Sequence, residues 1–432
     1  MRPGDPEPSG PRQAQAAEVD VPPRRFRVGS GGYGLVRQHF AAPSIRPDCG
    51  SRQRQIRGIF PASQGAGVRM TPELVTFLVA AAVALPITAL LELPTKQGRH
   101  VGPVPVPRIG GFAIAAGFLL APAGTALVSA EARRFVTEDW VQYVALGMCG
   151  GLVFAVGAWD DFRDRPWWLK LGAHLVAAAA LWGAGFRVGE LTLPTGSVLQ
   201  LGLADPFVTV FWLVLVTNAM NLIDGRDGIA AGVAILASGT MSYVAWDLGH
   251  DLIAMLFAGL AGAAAGFLPF NFPRARRFLG DSGAYFLGFA LGALSIAGFV
   301  DNTGRVPLYI PLVALGLPIL DTAVAFLRRF LDRRNPFEPD QDHVHDRIAR
   351  LVGDSSLVAL IIYALTAIFC AGALGLHQWY KAAGSAVVGG AVVALTIGLI
   401  VLLGYASTFW NSRRVLSWRL RRSADLGPHE AS

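Results

Sequence analysis

Apolar runs of roughly 20 residues, each closed by polar or charged residues, recur along this chain from Met70 to about residue 405. A helix needs about 20 such residues to cross the hydrocarbon core of a bilayer, where every backbone polar group must be satisfied within the segment. About eleven candidates stand near 72–92, 110–129, 141–159, 170–186, 206–222, 229–247, 252–269, 283–300, 306–327, 356–376 and 384–405. The count falls to about ten if the fourth run, loosened by Trp182, Gly183 and Gly185, or the fifth, which leads straight into polar residues, does not cross. The expected fold is therefore all-α, a polytopic helical bundle in a membrane. With 53% of 432 residues hydrophobic and only 16% charged, a soluble domain could not bury this content in one core.

The connectors alternate in character. One set is short and poor in motif-like residues: 130–140, 187–205, Asp247 to Asp251, Asp301 to Arg305, and His377 to Lys381. The other set contains Lys96 to Arg108, Asp160 to Lys170, Asn221 to Gly228, Asn271 to Gly283, Arg328 to Arg350 and the tail from Arg413 to Arg422. Arg and Lys concentrate in this second set, so the positive-inside rule makes it cytoplasmic and the amino terminus external. That orientation also accounts for the net charge of +7 without a nucleic-acid partner, since the basic residues interrupt apolar segments and form no basic domain. Residues 1–69, rich in Pro, Gly, Ser and Arg, read as a disordered extension, and Met70 as the true start of a membrane domain spanning 70–410, followed by a basic tail over 411–432. Cys49, Cys149 and Cys370 lie far apart without CxxC spacing, so neither a disulfide framework nor a zinc site follows.

Acidic residues gather in the second set of connectors. Asp160 and Asp161 stand side by side before Phe162-Arg163-Asp164, with Lys170 six residues after Asp164. Two adjacent carboxylates raise each other's proton affinity unless a cation offsets them, which suits metal binding or general base work as well as helix capping. Asn221-Leu-Ile-Asp224-Gly225-Arg226-Asp227-Gly228 ends an otherwise apolar helix with more polar groups than a plain turn needs. Asp224 and Asp227, three apart, share a face if the turn is helical, and Gly225 and Gly228 allow close approach to the backbone. Asn271 precedes Arg274, Arg276 and Arg277, and Gly280-Asp281-Ser282-Gly283 then puts a carboxylate at a helix start, where it can cap or present oxygen to a hard cation such as Mg²⁺. His343 and His345 lie beside Asp340, Asp342 and Asp346; without a cysteine or a HExxH helix they fit phosphate contact better than zinc. Pro103-Val-Pro105-Val-Pro107-Arg108-Ile-Gly110-Gly111 forms a stiff, extended lead into the second helix. Carboxylates for a divalent metal, cations for anionic oxygens and amides for a base or ribose, all on one face, are the equipment of phosphoryl transfer.

On these motifs the chain closely resembles the polyprenyl-phosphate N-acetylhexosamine-1-phosphate transferases, a family that includes the undecaprenyl-phosphate N-acetylglucosamine-1-phosphate and the phospho-N-acetylmuramoyl-pentapeptide enzymes. The match covers roughly residues 72–405 and rests on Pro107 to Gly111, Asp160-Asp161 with Lys170-Leu171, Asn221 to Gly228, Asn271 with Gly280 to Gly283, Asp321-Thr322, and Asp340 with His343-Val344-His345. The resemblance implies transfer of N-acetylhexosamine 1-phosphate from a UDP-sugar to undecaprenyl phosphate with release of UMP, either directly or through an enzyme-bound intermediate. This is the first membrane step of cell-envelope polysaccharide synthesis in the bacterial cytoplasmic membrane. It implies Mg²⁺, with Mn²⁺ as the alternative, and often a homodimer. By the same resemblance Asp160 is the base toward the lipid phosphate and Asp161 helps to position metal and phosphates. Asp281, with Asp224, holds Mg²⁺; Asn221, Asp224, Asp227 and Asn271 meet the nucleotide; His343 and His345 meet the diphosphate; Lys170 and Arg108 serve anionic oxygens.

Several positions depart from the family pattern. The spaced His343-Val344-His345 matches the N-acetylglucosamine branch, but Asp346 stands where that branch carries a third His. Arg226 occupies a commonly apolar position, His174 one that is commonly Gln, and Arg99 and His100 lie further from Pro107 than the family's basic pair. Two rivals from other classes are an ion-coupled transporter and a non-catalytic nucleotide-sugar or lipid-binding protein. Helix interiors almost free of ionisable residues weigh against the transporter.

Overall fold

The computed structural model of this protein describes residues 71–93, 106–138, 140–192, 197–298, 308–331, 333, 343–383 and 398. The extension over 1–69, the run 384–405 apart from residue 398, the tail 411–432, Arg99, His100 and Asp340 lie outside the described residues.

Thr71 opens the first helix, α1 (Pro72–Leu90), and Pro72 at its first position gives up an amide that no helix could have used. There follow α2 (Gly110–Val128), α3 (Ala130–Glu138), α4 (Trp140–Phe162) and α5 (Trp167–Gly183). A short antiparallel hairpin, β1 (Glu190–Thr192) with β2 (Val198–Gln200), leads to α6 (Asp205–Ile223), α7 (Ile229–Asp247), α8 (Asp251–Asn271) and α9 (Gly280–Ala297). The last described elements are α10 (Tyr309–Ala314), α11 (Gly316–Leu331), α12 (Val344–Val352) and α13 (Ser355–Ala383). Seven of these segments, at α1, α2, α4, α6, α7, α8 and α13, are long and apolar enough to cross a membrane by length and composition. The protein is thus a helical, multi-pass membrane protein.

Most apolar runs became helices close to their expected limits, and the exceptions have physical causes. The run at 306–327 is broken into α10 and α11 around Leu315. Pro318 has no amide to give the Ala314 carbonyl, and the Cys370 thiol, 4.0 Å from that oxygen, stands in as a weak donor. The connectors at 130–140 and 187–205 hold α3 and the β-hairpin, the one strand pair among the described residues. Asp205, buried at the start of α6, ties that hairpin down: it accepts from Trp182 Nε1 at 2.8 Å, Gly189 N at 2.7 Å and Thr209 Oγ1 at 3.1 Å. A carboxylate buried there is tolerable because its oxygens are satisfied.

Helices α8 and α9 form the centre, α8 against α1, α7 and α2, and α9 against α4, α6 and α2. Small residues such as Ala254, Ala261, Ala263 and Ala264 on α8 let backbones approach closely, which is how helices associate where lipid offers no hydrophobic drive. Phe118, Phe154 and Phe286 fill the space between α2, α4 and α9 with edge-to-face contacts. The outward faces of α1 and α4 leave Leu74, Leu78, Leu85, Val144 and Met148 exposed, as lipid-facing surfaces do.

Candidate active site

Residues from six separated segments meet at one end of this bundle. The lead-in to α2 runs beside the segment before α9: Gly110 N and Gly111 N donate to Phe278 O and Leu279 O at 2.9 and 3.0 Å, and Phe278 N donates to Pro107 O at 2.9 Å. Arg108 is thereby carried to the mouth of α9, its guanidinium 3.8 Å from the Asp161 carboxylate.

Asp160 and Asp161 form the last turn of α4 rather than a loop beyond it, and they face different surroundings. Asp161 is fully buried and accepts from Asp281 N at 2.9 Å, Ser282 N at 3.0 Å and Ser282 Oγ at 2.7 Å. It caps α9 from a neighbouring helix, supplying the acceptors that the first amides of a helix lack. Gly280 makes this possible, with φ at +77°; a Cβ there would lie 2.5 Å from Asp161 Oδ2. Asp160 instead accepts from Arg165 N at 2.7 Å and lies 3.4 Å from Lys170 Nζ. Lys170 also reaches Asp281 Oδ2 at 3.1 Å, while Asn221 Nδ2 donates to Asp281 Oδ1 at 3.3 Å. Around the Asp160 turn Trp159, Phe162, Trp167 and Trp168 are exposed, the aromatic residues expected at a membrane–water interface.

A cleft of about 230 Å³ opens beside this cluster. Asn221, Asp224, Gly225, Arg226 and Asp227 form one wall, and Arg108, Asn271, Phe278, Gly280 and Asp281 the other. Two lining residues also brace the walls. Asn271 Oδ1 accepts from Gly228 N at 2.8 Å while its Nδ2 donates to Arg277 O at 2.9 Å, and Asp227 Oδ2 accepts from Ala275 N at 2.9 Å. Burial, reinforced by the charges of Asp281 and Asp161, holds the Asp224 carboxyl well above the usual carboxylate range. Such crowding of like charge suits a site completed by cationic or metal-bound ligands.

The histidines dock on the same wall from α12. Asp321 on α11 accepts from Val344 N at 2.8 Å through Oδ1, and its Oδ2 lies 2.8 Å from His343 Nδ1, which fixes the ring. His343 and His345 stack with centroids 5.6 Å apart. Burial, partly offset by Asp346 and Asp321, pushes the His345 imidazole down to about 4, so it is neutral near pH 7. His345 packs on the turn that carries Asp224, where a Cβ at Gly225 would lie 2.0 Å from its Nε2. Gly225→Ala is accordingly expected to push the two turns apart and to lower the thermal unfolding midpoint of the detergent-solubilised protein through about 1–3 kcal/mol of overpacking, readable by scanning fluorimetry. An unchanged midpoint would show that the ring swings away freely.

Among the described residues no group of three or more His, Cys, Asp or Glu is already close enough to hold a metal ion. The donor set nevertheless fits a hard cation: Asp281 and Asp224 offer carboxylate oxygens to one cleft, and Mg²⁺ is commonly bound by one or two carboxylates with phosphates and water completing its shell. Residues that the motifs did not single out for a site include Ser282 and Tyr363, whose hydroxyl donates to Gly228 O at 2.7 Å. Ser282 sits inside a quoted motif, whereas Tyr363, on a distant apolar helix, carries no local signal.

The sequence is similar to those of known proteins. A family model described as glycosyl transferase family 4 matches residues 143–299, which hold α4 to α9 and most of the cleft. A Bacillus subtilis protein named probable undecaprenyl-phosphate N-acetylglucosaminyl 1-phosphate transferase is 30% identical over 319 residues, covering 72% of this chain and 86% of the relative. The chain belongs to glycosyl transferase family 4. Two further family members are similar over most of their length. The decaprenyl-phosphate N-acetylglucosaminephosphotransferase of Mycolicibacterium smegmatis is 30% identical, covering 79% of this chain and 90% of its own. The undecaprenyl-phosphate alpha-N-acetylglucosaminyl 1-phosphate transferase of Yersinia pestis is 26% identical, covering 82% and 94%. The family resemblance read from the motifs holds.

Proposed function

We propose that this protein transfers N-acetylglucosamine 1-phosphate from UDP-N-acetylglucosamine to a polyprenyl phosphate, releasing UMP. The observation that carries this reading is the convergence of separated acids and cations on Asp281: Lys170 and Asn221 contact its carboxylate and Asp161 holds its amide. The names of the relatives, all of which specify N-acetylglucosamine phosphate transfer to a polyprenyl phosphate, favour it over the transporter and binding-protein readings.

In this reaction an oxygen of the lipid phosphate bonds to the sugar-bearing phosphorus of the UDP-sugar, the bridging P–O bond breaks, and UMP leaves with the bridging oxygen. Asp160, beside the interfacial aromatic residues, is the group that takes the lipid phosphate's proton, and Lys170 steadies the anion formed. Asn221, Asp227 and Asn271 bind the nucleotide along the cleft, while His343, His345 and Arg108 donate to phosphate oxygens. Asp161 keeps α9, and with it Asp281, in place. A divalent cation held by Asp281 and Asp224 would neutralise charge on the diphosphate. The concentration of Arg and Lys in these connectors supports a cytoplasmic position for this end of the bundle, and the bacterial relatives support the inner membrane.

Purified protein in detergent, given undecaprenyl phosphate, radiolabelled UDP-N-acetylglucosamine and Mg²⁺, is expected to yield lipid-linked label and UMP in equal amounts. UDP-N-acetylmuramoyl-pentapeptide is expected to yield neither. Absence of labelled lipid with every UDP-N-acetylhexosamine would overturn the reading.

A further inference from the structure

Two of the departures from the family pattern meet in space. Arg226 lies in the turn between α6 and α7, and Asp346 in the first turn of α12, 120 residues away, yet the Arg226 guanidinium is 3.5 Å from Asp346 Oδ1. The other oxygen of Asp346 stands 3.5 Å from His345 Nε2. Each contact is longer than the roughly 2.7–2.9 Å of a tight charge-assisted hydrogen bond. Asp346 therefore restrains Arg226 without saturating it.

Arg226 also lines the cleft, flanked in sequence by Gly225 and Asp227 and facing the same space as Asp281. Its Nε is buried and has no hydrogen-bond partner among the described residues, and the same holds for His345 Nδ1. A buried donor without an acceptor is costly, and protein structures seldom leave one unless a ligand or water completes it. The guanidinium presents donors in a planar fork that matches two oxygens of a phosphate, which an ammonium or imidazole cannot do. Near so many carboxylates an untethered Arg would fold onto the nearest one. Asp346, in the first turn of α12, instead holds the guanidinium of this cleft-lining residue.

We propose that Arg226 is a substrate-binding residue that donates to the diphosphate oxygens of the sugar nucleotide, and that Asp346 is the positioning residue that keeps its guanidinium at the cleft. This inference rests on the proposed nucleotide-sugar function. The Asp346 carboxylate then serves the site through Arg226, although it bears the charge opposite to that of a phosphate donor.

The test uses the full-length protein in detergent and compares UDP with uridine, measured by displacement of a labelled UDP-sugar. Arg226→Leu is expected to weaken UDP binding by roughly 10- to 100-fold, the scale of a lost charge-assisted hydrogen bond, and to leave uridine within about two-fold. Arg226→Lys, which keeps the charge but loses the fork, should recover part of the loss. Asp346→Asn should weaken UDP by less than Arg226→Leu, raising KM for UDP-N-acetylglucosamine more than it lowers kcat. Uridine binding reports that each variant is folded. If Arg226→Leu weakens UDP and uridine equally, the pair is only a latch between two turns; if it weakens neither, Arg226 does not meet the ligand; either result overturns the proposal. Wild-type protein that binds no UDP would overturn the function as well, whereas wild-type binding with an indifferent Arg226→Leu would overturn this inference alone.

Discussion

Asp160→Asn is expected to lower turnover by roughly 10²- to 10⁴-fold, the contribution typical of a general base, while leaving the protein folded. The amide oxygen of Asn can still accept from Arg165 N, which Asp160 Oδ1 holds at 2.7 Å, so the local turn survives. What disappears is the proton acceptor and half of the charge that Lys170 balances. Initial rates of lipid-linked product with saturating substrates, beside an unfolding curve for the same preparation, check both halves. Near wild-type turnover would remove Asp160 from the role of base.

Its neighbour is expected to fail differently. Asp161→Asn turns two acceptor oxygens into one acceptor and one donor, opposite the two amides and the hydroxyl that Asp161 serves at the start of α9. Whichever way the new amide turns, one buried backbone amide at the start of α9 loses its acceptor and meets an N–H group instead. The cost is about 2–4 kcal/mol, or a fall of roughly 2–5 °C in unfolding midpoint for a protein of this size. Activity should fall with the loss of folded protein and recover in part at low temperature, as that of Asp160→Asn should not. An Asp161→Asn protein with an unchanged midpoint would contradict the capping role. The two adjacent carboxylates, indistinguishable by composition, thus divide into one that sits beside Lys170, proposed as the base, and one that caps α9.

That division marks what could be read in advance. Helices were legible because an apolar run long enough to cross a bilayer has few alternatives, and α7 appears over the residues expected of it. The residues that line the candidate site were legible as acids and glycines at helix ends. How its members are joined was not. A cap supplied by another helix, as Asp161 supplies α9, leaves no local pattern of the Ser-x-x-Glu kind, and Asp321 reaches His343, 22 positions further along the chain. The break at Leu315 was signalled by Pro318, but hydropathy averaged over the run at 306–327 hides it. The hairpin at Glu190–Thr192 and Val198–Gln200 is too short for its alternation to stand out.

Lys170 stands between Asp160 and Asp281, 3.4 Å from one and 3.1 Å from the other. A single ammonium shared by two anions behaves like the beam of a balance: whatever draws it toward one pan lightens the other. An anion that engages Lys170 from the lipid side loosens its grip on Asp281, and a change at Asp281 alters how firmly Asp160 is neutralised. The two carboxylates, contributed by α4 and α9, are thereby tied to each other through one side chain.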